Sequence, residues 1–195
     1  VYIASPNKLH IEQARVFLKH GKHVICEKPL SAHAKDVAEL QALAKERGLI
    51  YLEAIMFMHL PQRKLLEEAL KKIGDISVAK IDFCQRSSKY DAYLAGSLPN
   101  IFNPALETGA LMDLGVYCVY PALYLFGKPQ NTLAVSHLLA SGADGSDIVA
   151  MQYPDKLVNL VFSKVGQAGA NTDFQGTNGT VSVAVSYTHL RAHET

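Results

Sequence analysis

The first 55 residues alternate two kinds of run, and that alternation restricts the fold more than any other feature of the chain. "VYIAS" (Val1 to Ser5) is short, apolar and rich in β-branched residues. "PNKLHIEQARVFLKHG" follows with Ile11, Ala14, Phe17 and Leu18 at helical spacing and a stop at Gly21. "HVICE" (His23 to Glu27) is a second apolar strand, and the segment between the two is long enough for the crossover that parallel strands require. The unit then repeats: "AKDVAELQALAKERG" puts Val37, Leu40, Leu43 and Ala44 on one helix face and ends at Gly48, and "LIYLEAI" (Leu49 to Ile55) is a third strand. Strands alternating with helices predict a doubly wound parallel α/β layer.

After Pro61 the pattern changes. A helix over Gln62 to Lys72, with Leu65, Leu66, Ala69 and Leu70 inward, leads past Gly74 into "DISVAKIDFCQ", a long strand. Residues Tyr90 to Pro104, with Gly96, Pro99, Asn100, Asn103 and Pro104, read as a long loop and a functional candidate by length alone. "ALETGALMDLGVYCVYPALYLFG" is helical, closed by Gly127 and Pro129. "NTLAVSHLL", "SDIVAMQY" and "KLVNLVFSKV" are successive strands, with Pro154-Asp155 turning between the last two. This region is expected to be α+β with a mainly antiparallel open sheet. The expected division is a first region over residues 1–58, a second over 59–183, and a tail over 184–195.

Nineteen basic and eighteen acidic residues leave a formal net charge of +1 and no basic stripe interleaved with aromatics, so the sequence predicts no nucleic-acid partner. No apolar run approaches about 18 residues and no signal peptide is visible, which predicts a cytoplasmic protein with no membrane partner. Cys26, Cys84 and Cys118 are far apart and match neither a disulfide framework nor a zinc site, so they are expected to be reduced core residues. His189 and His193 have metal-pair spacing but no third ligand nearby, and no metal is expected.

Ligands of a doubly wound sheet bind where the loops leave the carboxyl ends of its strands. "SPN" (Ser5 to Asn7) and "EKP" (Glu27 to Pro29) both occupy such ends. Asn7 and the amides after it can donate to a polar ligand, and Pro29 stiffens the chain next to Lys28, fixing where its ammonium points. A solvated Glu27–Lys28 pair is the plainer alternative. On the later helix, Asp113 and Tyr117 lie four apart and share a face, with Gly109, Ala110 and Gly115 permitting close approach. A carboxylate among Leu, Met, Val and Ala needs a partner, and a lysine from the first region would serve.

"VYIASPNKLHIEQARVFLKHGKHVICEKPLS" followed by "LMDLGVY" closely resembles the Gfo/Idh/MocA family of oxidoreductases, over nearly the whole chain to about Val183. The resemblance implies a partial dinucleotide-binding Rossmann domain over residues 1–58, paired with an α/β substrate and oligomerisation domain over 59–183 whose open sheet forms subunit interfaces, hence a homo-oligomer. It also implies NAD or NADP as cofactor and a sugar, polyol or related alcohol as the small-molecule substrate. Carried onto this sequence, Lys28 is the E-K-P lysine, Asp113 the helix aspartate, and Tyr117 stands where inositol dehydrogenase-like members have histidine, as in the dihydrodiol and xylose dehydrogenase branches. Tyr117 would then be the proton donor or acceptor during hydride transfer, with Lys28 fixing the hydroxyl and lowering the tyrosine's pKa and Asp113 orienting the pair. The same resemblance makes Pro6, Asn7, His10, Glu27 and Pro29 cofactor-facing, although His10 could equally cap or pack on its helix.

Several features depart from that family. No G-x-G-x-x-G is present, the opening strand resembles the family's fourth, and the expectation is a chain truncated at both ends and inactive by itself. "AVSYTHLRAHET" continues no periodicity and resembles translated adapter or vector sequence. Where many members carry arginine shortly after "EA", this chain has Met58. A non-catalytic NAD(P)- and sugar-sensing regulator of the same fold, or an NAD-dependent glycosidase, are the competing readings.

Overall fold

The computed structural model describes residues 1–184 and 191–193. Three short strands, β1 (Tyr2–Ile3), β2 (Val24–Cys26) and β3 (Tyr51–Glu53), form a parallel sheet in that order. Helices α1 (His10–Lys19) and α2 (Ala34–Glu46) connect them, as the alternation requires. Their apolar faces meet the sheet through Ala14, Leu18, Leu40 and Ala44, packed on Ile3, Val24, Cys26 and Tyr51. Gly21 (φ +71°) and Gly48 (φ +63°) end the helices in the left-handed region, where glycine has no Cβ to strain. Both helices lie on one face of the sheet. Among the described residues the other face, carrying Tyr2, Ile25 and Leu52, is exposed, because alternate strand residues point to opposite sides.

The second region is a seven-stranded sheet with α5 (Val116–Phe126) across one face. Its order is β10-β9-β8-β4-β7-β6-β5, with β4 (Ile76–Cys84) central. β4 pairs parallel with β7 (Leu157–Ser163), and every other pairing is antiparallel, including β5 (Asn131–Leu138) on β6 (Asp144–Gln152) and β8 (Thr172–Gly176) on β9 (Gly179–Ala184). Of the tail expected over 184–195, Ala184 closes β9 and residues 191–193 form β10 against it; residues 185–190 and 194–195, with His189, lie outside the described residues.

Three expectations are corrected. Leu65 of α3 (Gln62–Leu70) is 70% exposed; Leu66 and Leu70, one turn apart, carry the buried side, and Leu65 sits about 100° off it. Residues 90–104 are not an open loop: α4 (Tyr90–Leu94) and a short 3-10 turn at Asn100–Phe102 fold over buried Phe102, against which Tyr90 and Tyr93 pack. Cys84 is only half-buried, whereas Cys26 and Cys118 are core residues. The stretch Pro104–Phe126 is, by length and composition, apolar enough to cross a membrane, but here Cys118 and Ala122 are fully buried against the sheet.

The helix bearing Asp113 and Tyr117 begins with a π-helical turn, Leu111–Gly115. Its start is held by Asp144 of β6, whose carboxylate accepts from the Leu111 amide at 2.6 Å. Gly115 lets it approach β7: a Cβ there would lie 2.7 Å from the Phe162 ring. Gly115→Ala should therefore lower stability. The gain in helix propensity is at most about 1 kcal/mol, against about 1–3 kcal/mol for overpacking a ring with no room to shift. Urea denaturation should show a lower midpoint at unchanged slope, and a raised midpoint would mean that Phe162 yields.

Candidate functional site

Strand β2 delivers Glu27 and Lys28 to the carboxyl edge of the parallel sheet, where they diverge. Glu27 accepts from the Tyr2 hydroxyl of β1, while Lys28 crosses to the second region. Its Nζ donates to Asp113 Oδ1 at 2.7 Å and to the Asp113 carbonyl at 2.6 Å, and it stands 4.8 Å from the centre of the Tyr117 ring. The solvated Glu27–Lys28 pair does not form. The Lys28–Pro29 peptide is cis.

Lys28, Asp113 and Tyr117 share a cavity of about 300 Å³, walled by Met56, Phe57, Leu60, Phe83 and Leu114, with Gln85 at its side. Its lining joins a few polar groups to apolar and aromatic side chains, as in small-molecule sites. Tyr117 also packs edge-on against Phe83, with ring centres 5.7 Å apart.

The electrostatics differ from the expectation on one point. Burial, reinforced by the Glu27 and Asp113 carboxylates, pushes the Tyr117 phenol up to about 12, so its net shift is upward with Lys28 beside it. The ammonium lies over the ring and donates to Asp113, whose carboxylate it stabilises. Burial raises the Asp113 carboxyl as well, but the ammoniums of Lys28 and Lys164 outweigh it and hold the group below the usual range.

The residues expected to face a cofactor divide. Pro6 and Asn7 sit half-buried at the end of β1, and the Asn7 amide donates to the Glu107 carbonyl at 2.7 Å, tying that strand end to the loop before the π turn. Glu27 and Lys28 are also half-buried. His10 and Pro29 are buried. His10 is fully enclosed, its ring nitrogens each 2.8 Å from a carbonyl, Pro29 on one side and Ser5 on the other. It faces the two loops from behind and not an open crevice, which is the packing alternative.

Residues 1–55 match the profile described as "Oxidoreductase family, NAD-binding Rossmann fold", and residues 63–182 match the "GFO/IDH/MocA C-terminal domain". The chain belongs to this oxidoreductase family. It is 44% identical over 183 residues to the scyllo-inositol 2-dehydrogenase (NADP(+)) IolU of Bacillus subtilis, covering 94% of this chain and 56% of that protein. It is 30% identical over 187 residues to the trans-1,2-dihydrobenzene-1,2-diol dehydrogenase of Mus musculus, covering 93% and 54%. Among solved structures, KijD10, a 3-ketoreductase from Actinomadura kijaniata in complex with NADP and TDP-benzene, superposes with a TM-score of 0.85 at 27% identity, over 96% of this chain and 57% of that one. The chain thus spans about half the length of the relatives it matches.

Lys164 lies near the end of the strand run "KLVNLVFSKV" and is not among the residues that the sequence singles out for the site. The signal was present: Val158, Leu160 and Phe162 point inward at alternate positions, and Lys164 continues that side. The apolar wall residues carry no comparable signature. The π turn has none either, since it depends on Asp144 and Phe162 from distant strands.

A phenol raised from 10 to about 12 leaves folding stability unaffected by this group below pH 10 and costs stability as pH rises from 10 to about 12, where the unfolded chain ionises first. An ultraviolet difference titration of wild type against Tyr117→Phe should show this tyrosine still protonated at pH 11. Ionisation at or below pH 10 would contradict the arrangement.

Proposed function

We propose that the protein is an NAD(P)-dependent oxidoreductase transferring hydride between nicotinamide and a hydroxyl- or carbonyl-bearing carbon of a sugar, polyol or related alcohol. The observation that carries this reading is the convergence of Lys28, Asp113 and Tyr117 in the lining of one cavity at the carboxyl ends of the parallel strands. The residues suit the cofactor: half-buried Pro6, Asn7 and Glu27 lie in the loops that follow β1 and β2, and the apolar lining of Met56, Phe57 and Leu60 suits a flat ring. The nicotinamide, when bound, supplies or accepts the hydride.

Tyr117, protonated at neutral pH, donates its proton to the substrate oxygen during carbonyl reduction. Lys28 places a positive charge beside that oxygen and stabilises negative charge developing there. Asp113 holds Lys28 in place, and the apolar wall keeps water from the reacting carbon. A cytoplasmic location and association of copies through the open sheet, where Leu133, Val135 and Ile148 are exposed, complete the reading. We place the division between the two domains near residues 58 and 59, between the two matched segments.

In the full-length gene product, Lys28→Ala and Tyr117→Phe should each lower kcat by ~10²- to 10⁴-fold while leaving dinucleotide affinity in place. A Tyr117→Phe enzyme of full activity would remove the proton-transfer role. Loss of dinucleotide binding with kcat retained in Lys28→Ala would make that lysine a cofactor anchor.

A further inference from the structure

Asp113 has two cationic partners, and only one of them faces the cavity. Lys28 occupies Oδ1; Oδ2 is taken by Lys164, which does not line the cavity and is 2% exposed. Among the described residues no other lysine or arginine is as buried. A buried ammonium persists only when paired and held. Lys164 is held at every point: its amide donates to the Gly145 carbonyl at 2.9 Å, its carbonyl accepts from the Ser87 amide at 2.8 Å, and its Nζ lies 6.0 Å from the centre of the Phe102 ring. Position and burial therefore come from β6, β7 and the segment around α4, and the pairing from the π turn, all remote in sequence from the E-K-P turn.

We propose that Lys164 is a positioning residue of the site described above, fixing the rotation and charge of the Asp113 carboxylate so that Oδ1 presents to Lys28. The assignment rests on the reading that Lys28 and Tyr117 are the reacting pair. Two ammoniums share one carboxylate, so Lys28 is only partly neutralised and its field remains available to a substrate oxygen. Without Lys164, Asp113 would neutralise Lys28 fully and could also turn. The groups facing Asp113 are Lys28 from the end of β2, Lys164 from the end of β7, and Tyr117 on its own helix. Glu27 acts on Tyr117, and Asp144 of β6 holds the Leu111 amide at the turn's start. From β4 the neighbours are Phe83 and, just beyond it, Gln85, both uncharged; Asp82 projects from the opposite side of that strand.

The test compares Lys164→Met, of similar length without charge, and Lys164→Arg in the full-length gene product, beside Lys28→Ala. Lys164→Met should lower kcat about ten- to a hundredfold with KM for the dinucleotide within about twofold, and the acid limb of the kcat profile should move to higher pH. Losing one of two ammoniums leaves burial less opposed, so the carboxyl of Asp113 protonates earlier as pH falls. Lys164→Arg should restore most of the rate and the limb. Carbon NMR of the Asp113 carboxyl, assigned with Asp113→Asn, reads the same shift without turnover. An unmoved Asp113 titration in Lys164→Met overturns the positioning role, as does an activity loss that only follows the loss of folded protein with the acid limb unchanged. A raised Asp113 titration alongside a fully active Lys28→Ala would uphold the hold of Lys164 on Asp113 and overturn the reaction assigned to the site.

Discussion

The carboxylate of Asp113, with an ammonium on each oxygen, ties the two regions of the chain together at the place where their chemistry meets. Lys28 comes from the carboxyl edge of the parallel sheet and Lys164 from the end of β7 in the larger one. Neither lysine could occupy its position without the aspartate, since the side chains are 12% and 2% exposed and an unpaired charge so far from water is costly. The carboxylate in turn depends on the π turn that carries it, and the turn on Asp144 and on the missing Cβ of Gly115. A π turn inside an α-helix is a frequent mark of functional sites. Here it places the carboxylate between two sheets.

That arrangement divides the work between the titratable groups. Two cations keep Asp113 ionised, while burial and two neighbouring carboxylates keep Tyr117 protonated. Groups whose environments push them in opposite directions can be assigned opposite tasks, a fixed charge and a proton source. The rear of the site is stiffened by another buried group: His10 bridges the Ser5 and Pro29 carbonyls and so couples the loops that follow β1 and β2.

How much of this could be read from sequence follows the range over which each feature is determined. Helices α1 and α2 and strands β4, β6 and β7 were legible because their apolar residues recur at 3.6- or two-residue spacing, a local property. Lys28 and Asp113 were legible as charges in apolar surroundings that demanded partners, and each is the other's partner. The order of strands β8, β4 and β7, and the placing of both helices on one face of the first sheet, depend on contacts between distant segments and left no local trace. The direction of the Tyr117 shift has no local trace for a related reason: it depends first on burial and then on the carboxylates that the fold brings beside the phenol. Leu65 failed by one position on a short helix with few turns to define its face.

The most direct measurement of the central claim is a crystal structure of the full-length gene product with its reduced dinucleotide. The account requires Asp113 to keep both ammoniums, Lys28 on one oxygen and Lys164 on the other, with the nicotinamide ring bordering the cavity that Lys28 and Tyr117 share. A nicotinamide bound away from that cavity, or a Lys28 turned from Asp113 with Lys164 left as its sole partner, would contradict it.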